Sequence, residues 1–218
     1  MYVKNRMTSD PYTIQADTPI TDVIELMRQR DLKRIPVMDG DRLAGIITDG
    51  DIQKVSPTKA TALSVFEINY LLAKTLVKDA MSKRVITISP DDILEEAAVR
   101  MRANRVSTLP VVKDGKLVGI ITESDIFDAF IDLLGARDLG TRLVINADDK
   151  PGILSEFSHI VSEFGANISH IAVYRHEHGK SNVVLRVDTL DYDPIIKALT
   201  EKGYEMIGAT TNTGSSNV

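Results

Sequence analysis

The chain repeats itself, and nothing else in it constrains the fold as much. Residues 7–52 align without a gap with residues 81–126 at a constant offset of 74, with fifteen identities in 46 positions. The best-matched stretch is Gly45-Ile46-Ile47-Thr48-Asp49-Gly50-Asp51-Ile52 against Gly119-Ile120-Ile121-Thr122-Glu123-Ser124-Asp125-Ile126. A gapless duplication of this length means that one supersecondary unit is used twice, so the two copies share their element order.

That order is a short strand, a helix, two strands and a second helix. Ile20, Val23, Ile24 and Met27 stand at i, i+3, i+4 and i+7, and Leu94, Ala97, Ala98 and Met101 repeat the spacing in the second copy. Each set forms one apolar stripe to lay against a sheet. Pro19 suits a first helical position, and Asp91-Asp92 put acid near the equivalent helix start. Arg34–Met38 and Leu43–Ile47 read as paired strands around Asp39-Gly40-Asp41, and Leu109–Val112 and Leu117–Ile121 pair around Asp114-Gly115. Asp-Gly between apolar runs is a strong hairpin signal. From Pro57 to Val77, the positions of Val65, Ile68, Leu72 and Leu76 predict an amphipathic connecting helix.

Composition narrows the chemistry. The 218 residues include no cysteine, which excludes disulfides, Cys-ligated zinc and a cysteine nucleophile. Residues 1–134 carry 18 basic and 20 acidic side chains, and the rest carry 8 and 11, giving nets of −2 and −3. Neither part has the basic excess that phosphate-backbone binding needs, so nucleic acid is not an expected partner. The start, Met-Tyr-Val-Lys-Asn-Arg-Met, lacks the apolar stretch of a secretion signal, and no run approaches bilayer-spanning length. A cytoplasmic protein without membrane association is expected.

The gapless pair, Ile35-Pro36-Val37 or Leu109-Pro110-Val111 before each hairpin, and Gly-Ile-Ile-Thr-x-x-Asp after it together resemble the CBS domain. Two in tandem resemble the Bateman module. The Thr-x-x-Asp segments read two ways. Thr48 and Thr122 end a strand and Asp51 and Asp125 stand at the helix start, which is a capping arrangement. The same free amides can hold a phosphate while the carboxylate takes a ribose diol. The CBS resemblance implies the second use, with an adenosine-type ligand such as AMP, ADP or ATP. By that resemblance the nucleotide-binding set is Ile14, Lys33, Arg34, Pro36, Thr48 and Asp51 from the first copy, with Ile88, Arg105, Thr108, Pro110, Thr122 and Asp125 from the second. Lys33-Arg34 is replaced by Ser107-Thr108 in the second copy, so the first copy is expected to supply the phosphate contacts, with Arg105 a lesser candidate. Ile14 and Ile88 enter as adenine neighbours through their backbone.

Two glycines in Leu134–Gly140 break the helical pattern and mark a linker. The remainder of the chain alternates strand, helix, strand, strand, helix, strand, with Ile153, Leu154, Phe157, Ile160, Val161 and Phe164 on one helical face stopped by Gly165. That order, with Asp149-Lys150-Pro151-Gly152-Ile153-Leu154 and Gly165-Ala166-Asn167-Ile168, resembles an ACT domain. The resemblance implies Asp149, Gly152, Ile153 and Asn167 as contacts to an amino acid or other small effector; the same residues equally suit a turn and a strand start. His176 and His178 stand two apart without a third ligand, and no Walker loop or nucleophile elbow occurs, so neither a metal nor catalysis is expected.

The expected fold is therefore α/β in the α+β sense: a CBS domain with its connecting helix at 1–76, a second CBS domain at 77–134, a linker at 135–140, a ferredoxin-like βαββαβ ACT domain at 141–213 and a flexible tail at 214–218. The whole arrangement resembles the acetoin-utilisation AcuB-like family. It implies a non-catalytic homodimer that senses an adenine nucleotide, with no catalytic cofactor, and controls a metabolic enzyme. The alternative is an assembly protein that binds no ligand, its motifs being only caps and turns.

Overall fold

The computed structural model describes residues 1–55, 72–176 and 179–214. The chain divides into two compact units, Met1–Ile126 and Phe127–Val218.

In the first unit each copy builds a small sheet. β2 (Ile14–Gln15), β3 (Arg34–Asp39) and β4 (Arg42–Thr48) form one, and β5 (Thr108–Lys113) and β6 (Lys116–Thr122) form the other with β1 (Thr8–Ser9). The sheets are flanked by α1 (Ile20–Arg30), α2 (Asp49–Val55), α3 (Val77–Ala80), α4 (Leu94–Asn104) and the start of α5 (Glu123–Leu133). Ile20, Val23 and Met27 bury the predicted stripe of α1 beside Ile35, Val37 and Ile47, and Leu94, Ala97 and Met101 are buried on α4. Pro19 precedes α1 in extended backbone as its N-cap, one position earlier than the sequence places it. The connecting-helix positions Val65 and Ile68 lie outside the described residues.

The two copies exchange their leading segments. β1 pairs antiparallel with β6 of the other copy, with Thr8 opposite Ile120, and Ser82 bridges Ile46 of β4 in the equivalent register. Backbone bonds repeat the exchange upstream. Val3 N–H donates to Asp92 O at 2.9 Å and Lys4 N–H to Pro90 O at 3.0 Å; Val77 donates to Thr18 O and Lys78 to Ala16 O, each at 2.9 Å. Val3 and Val77, 74 apart, are both fully buried. The structural repeat thus extends back from residue 7 to residue 3 and from 81 to 77, and each sheet is completed by residues that sequence order assigns to the other copy.

Gly45 and Gly119 are required by this exchange. A Cβ on Gly45 would lie 2.4 Å from Met81 Sδ and 3.0 Å from Ser82 O, and one on Gly119 would lie 2.6 Å from Met7 Sδ and 3.0 Å from Thr8 O. The hairpins are less alike than the sequence predicts. Asp114 and Gly115 both take positive φ, as a type I′ turn needs, whereas in the first copy Gly40 alone does, because its Asp-Gly pair sits one position earlier. Outside both sheets, Lys4 Nζ meets Asp91 Oδ1 at 2.8 Å; the bond and the ammonium charge hold the Asp91 carboxyl below its usual range.

In the second unit β7 (Gly140–Asp148), β8 (Ile168–Arg175), β9 (Lys180–Val187) and β10 (Glu205–Asn212) form one antiparallel sheet in the order β10-β7-β9-β8. α6 (Ile153–Glu163) and α7 (Asp193–Glu201) complete the expected βαββαβ order. Alternate residues Leu143, Ile145, Val183, Leu185 and Val187 are buried in one core with Phe157, Ile160, Val161, Ile195 and Leu199 of the helices. Tyr204 meets Phe157 edge-on at 4.9 Å, and burial, then a hydrogen bond with Glu156, pushes its phenol up to about 12. The linker read at 135–140 is tied to this sheet. Asp138 O accepts from Arg186 and Asn212, and its carboxylate lies 2.7 Å from His170 Nε2.

Candidate functional site

Two clefts of the first unit are copies of each other. One, of about 270 Å³, is lined by Arg34, Ile46, Thr48 and Asp51 of the first copy with Ser82, Arg84, Val85, Ile86, Arg105, Val106, Ser107 and Thr108 of the second. The other, of about 430 Å³, is lined by Thr8, Asp10, Pro11, Tyr12, Asp31, Leu32, Lys33 and Arg34 with Ile120 and Thr122, besides Pro36 and Ser124. Apart from those last two, every residue of the second cleft is the partner, 74 positions away, of one lining the first. The exchange of leading segments produces this: it brings Ser82–Ile86 to Thr48 and Thr8–Tyr12 to Thr122.

In the first cleft Asp51 is 6% exposed. Its Oδ2 accepts from Thr48 Oγ1 at 2.7 Å and from Thr48 N–H at 3.2 Å, while Lys54 Nζ donates to Oδ1 at 3.0 Å. Asp51 N–H in turn donates to Thr48 Oγ1 at 3.2 Å. This is a reciprocal cap, so the capping reading of Thr-x-x-Asp describes the geometry present. It also fixes the carboxylate at the cleft wall. Thr122 and Asp125 repeat it at 2.7 and 2.8 Å, and among the described residues Asp125 Oδ1 has no protein partner.

Arg34 reaches across between the copies. Its Nη1 donates to Ser107 O at 2.9 Å and to Thr108 Oγ1, which directs the guanidinium to the first cleft. Arg84 and Arg105 line the same cleft, and among the described residues neither guanidinium bonds to another side chain. Against Asp51, already capped and paired, the cleft therefore presents cations with unused donors. Arginine offers a planar fork that matches phosphate oxygens two at a time.

Of the residues expected from sequence, the structure gathers Arg34, Thr48, Asp51, Arg105 and Thr108 on the first cleft and Lys33, Arg34, Pro36 and Thr122 on the second, with Asp125 bonded to Thr122. Lys33 lines the second cleft, whereas Arg34 lines both and bonds to Ser107 and Thr108 of the first. Three of the expected residues, Ile14, Ile88 and Pro110, line neither cleft. Ile14 sits in β2 against Val37 and packs on the core. Ile88 is 2% exposed, and its N–H and C=O are bonded to Pro110 and Val112. Pro110 is buried in β5 off both clefts. Tyr12 and Ile86, two positions before Ile14 and Ile88, line the clefts. Arg84, Asp10, Tyr12 and Asp31 went unread from sequence; aligning the repeat and asking where its charges differ would have marked all but Tyr12.

The residues expected at the ACT site do not meet at a described cavity. Ile153 is 6% exposed in the core, because it begins the buried face of α6. Asp149 Oδ2 accepts from Arg175 Nε at 2.8 Å, Gly152 caps α6 at φ 89°, and Asn167 N–H donates to Asp188 Oδ1 at 2.7 Å while its C=O accepts from Asp188 N–H. A depression of about 110 Å³ lies elsewhere, on the sheet beside Arg142, His170, Tyr174 and Arg186. Among the described residues no group of three or more His, Asp or Glu can hold a metal ion, and no helix is long and apolar enough to cross a membrane. His178 lies outside them.

Comparison with known proteins matches two families along the chain. The CBS domain family model matches residues 3–57 and 77–132, and the ACT domain model matches residues 141–203. An uncharacterized protein of Methanocaldococcus jannaschii is 34% identical over 155 residues, 60% of this chain and 92% of that protein. A Vibrio cholerae structure described as an acetoin utilization protein (AcuB) is 30% identical with a TM-score of 0.52, covering 62% of this chain and 93% of that one. The CBS protein CBSX2, solved in complex with AMP, is 27% identical at a TM-score of 0.50 and covers 60% of this chain and 96% of that one. The CBS pair of protein MJ0100, solved with 5′-methylthioadenosine and S-adenosyl-L-methionine, matches at the same identity and score, over 60% of this chain and 95% of its own. The homoserine O-acetyltransferase of Methanohalobium evestigatum is 30% identical over 57% of this chain, which spans 23% of that enzyme.

Proposed function

The chain belongs to the CBS-domain family, as a tandem CBS pair followed by an ACT domain, and from that premise we propose that it is a non-catalytic regulatory protein whose first cleft binds an adenine nucleotide of the AMP, ADP or ATP type. One observation carries the reading: Arg34, Arg84 and Arg105 converge on the cleft walled by Thr48 and Asp51. The guanidinium groups take the phosphate, and the fixed Asp51 carboxylate takes the ribose hydroxyls once Lys54 yields Oδ1. AMP bound to a similar CBS protein supports the ligand class. Binding acts on a partner metabolic enzyme, as in acetoin utilisation, by favouring one conformation or assembly over another, which requires unequal affinity for the two states. We place the protein in the cytoplasm as a homodimer, with an amino acid or similar effector as the ACT ligand.

The closed Thr48–Asp51 cap favours a second reading, an assembly protein without a ligand. Thermal unfolding with AMP, ADP and ATP decides between them. A ligand at a hundredfold excess over its Kd stabilises the folded state by about 2.7 kcal/mol, and Arg84→Ala should remove most of that gain without touching the cap. No stabilisation by any of the three nucleotides leaves the assembly reading standing.

A further inference from the structure

The two clefts share a frame and differ in charge, and the differences fall at two equivalent lining positions. Where the first cleft has Arg84 and Arg105, the second has Asp10 and Asp31. The Arg34 guanidinium, which touches both linings, is committed to Ser107 and Thr108 of the first cleft. Lys33 is the cation left on the second lining, with Arg30 above the outer Tyr12 ring at 5.3 Å from its centre. Thr122, with Asp125 bonded to it and one carboxylate oxygen unused, preserves the wall assigned to the ribose. Tyr12 adds a half-exposed aromatic ring where the first cleft has Ile86.

We infer that the second cleft is a site for an adenosine derivative that carries no phosphate and is uncharged or cationic at its 5′ end, with Asp31 and Asp10 setting that specificity. The inference rests on the reading of the first cleft as a nucleotide site, since it transfers the same ribose wall and inverts the group opposite it. Carboxylates at the positions of Arg84 and Arg105 repel phosphate, which is discrimination by an unfavourable pair as much as by a favourable one. They accept hydrogen bonds from a 5′-hydroxyl and attract a sulfonium or ammonium group. The Tyr12 ring offers a face to the purine.

Asp31 allows a clean test, because its backbone already fits the replacement. It ends α1 at φ 51°, and Arg105 ends α4 at φ 54°, so Asp31→Arg places arginine in a conformation that arginine holds in the other copy. Titration calorimetry of the full chain should give one equivalent of AMP, and a further equivalent of adenosine or S-adenosylmethionine in protein already saturated with AMP. At the second cleft adenosine should exceed AMP in affinity by about tenfold or more, the order expected of like charges brought into contact at an exposed site. Asp31→Arg should raise AMP to two equivalents and weaken S-adenosylmethionine. Asp31→Asn, which keeps the size and tolerates the left-handed backbone, should narrow the AMP-to-adenosine gap if the arginine variant does not fold. Two AMP equivalents of similar affinity in the unaltered protein overturn the inference and leave the nucleotide reading intact. An AMP-saturated protein that takes up neither probe overturns it as well. Absence of heat with every adenosine compound removes both.

Discussion

Replacing Gly45 and Gly50 by alanine adds the same methyl group five residues apart, and the structure gives the two changes opposite signs. At Gly45 the new carbon meets Met81 Sδ at 2.4 Å and Ser82 O at 3.0 Å. The thioether can swing aside, but Ser82 is held by two backbone bonds with Ile46, at 3.1 and 2.9 Å. Either the methionine leaves its place or those bonds lengthen, an overpacking cost of about 1–3 kcal/mol. For a chain of this size that lowers the Tm by roughly 2–12 °C. At Gly50 the nearest atom is Thr48 Oγ1 at 3.7 Å, an ordinary contact, and the second copy carries Ser124 at the same position. Gly50→Ala restricts the unfolded chain without strain and should add about 0.4–1 kcal/mol. Circular dichroism melts of both variants suffice, and calorimetry assigns the shift to one of the two compact units. Gly45→Ala should also weaken AMP, because Ser82 lines the first cleft. If Gly45→Ala melts at or above the unaltered protein, the close approach of the exchanged segment is not as described and the account of the clefts goes with it.

Other outcomes test the remaining contacts. Arg34→Ala should cost about 1–2 kcal/mol through the lost bonds to Ser107 and Thr108 and abolish AMP stabilisation; Arg34→Lys should restore only part of either, since a single ammonium cannot serve two acceptors in a fixed fork. Tyr204 favours its protonated form in the folded state, so its contribution is complete below the ordinary tyrosine pKa near 10 and is lost as pH rises towards about 12. Tyr204→Phe should flatten the alkaline limb of the stability profile, and an unchanged limb refutes the assignment. Asp91 is held low by Lys4, so their pair supports the exchanged N-terminal segment above the usual carboxylate range and fades as pH falls through the lowered value. Lys4→Ala should remove that acid sensitivity, and high salt should mimic it because the pair is exposed.

Much of the fold was legible because its signals are local. The stripes ending in Met27 and Met101, the hairpins and the βαββαβ order each depend on residues within a few turns of one another, where periodicity and turn chemistry speak directly. What sequence order concealed is the exchange. Val3 and Val77 sit outside the strongly matched 7–52 and 81–126, yet both are fully buried, each under the copy that does not contain it. Nothing in an apolar residue states which of two similar sheets it completes. Nor does Asp-Gly alone fix a turn: Gly40 and Asp114 occupy the same repeat position, and the pair is shifted by one between the hairpins.

The same exchange explains why the site was half read. Thr48, Asp51, Thr122 and Asp125 stand out because identical residues recur at a fixed offset, and similarity is what a repeat displays. Specificity in a duplicated pair lies instead where the copies disagree, and disagreement looks like drift until the fold places it. Arg105 against Asp31 is a charge reversal at a shared left-handed turn, and Arg84 against Asp10 is a second reversal on the exchanged segment. Each alone is an exposed residue with a bland solvated reading. Placed on equivalent walls, opposite equivalent Thr-Asp caps, they act together, and one duplicated frame gains two unlike clefts. On the proposed reading, a chain of net charge −5 needs no basic surface to recognise phosphate, because arginines line one cleft and carboxylates replace two of them in its twin.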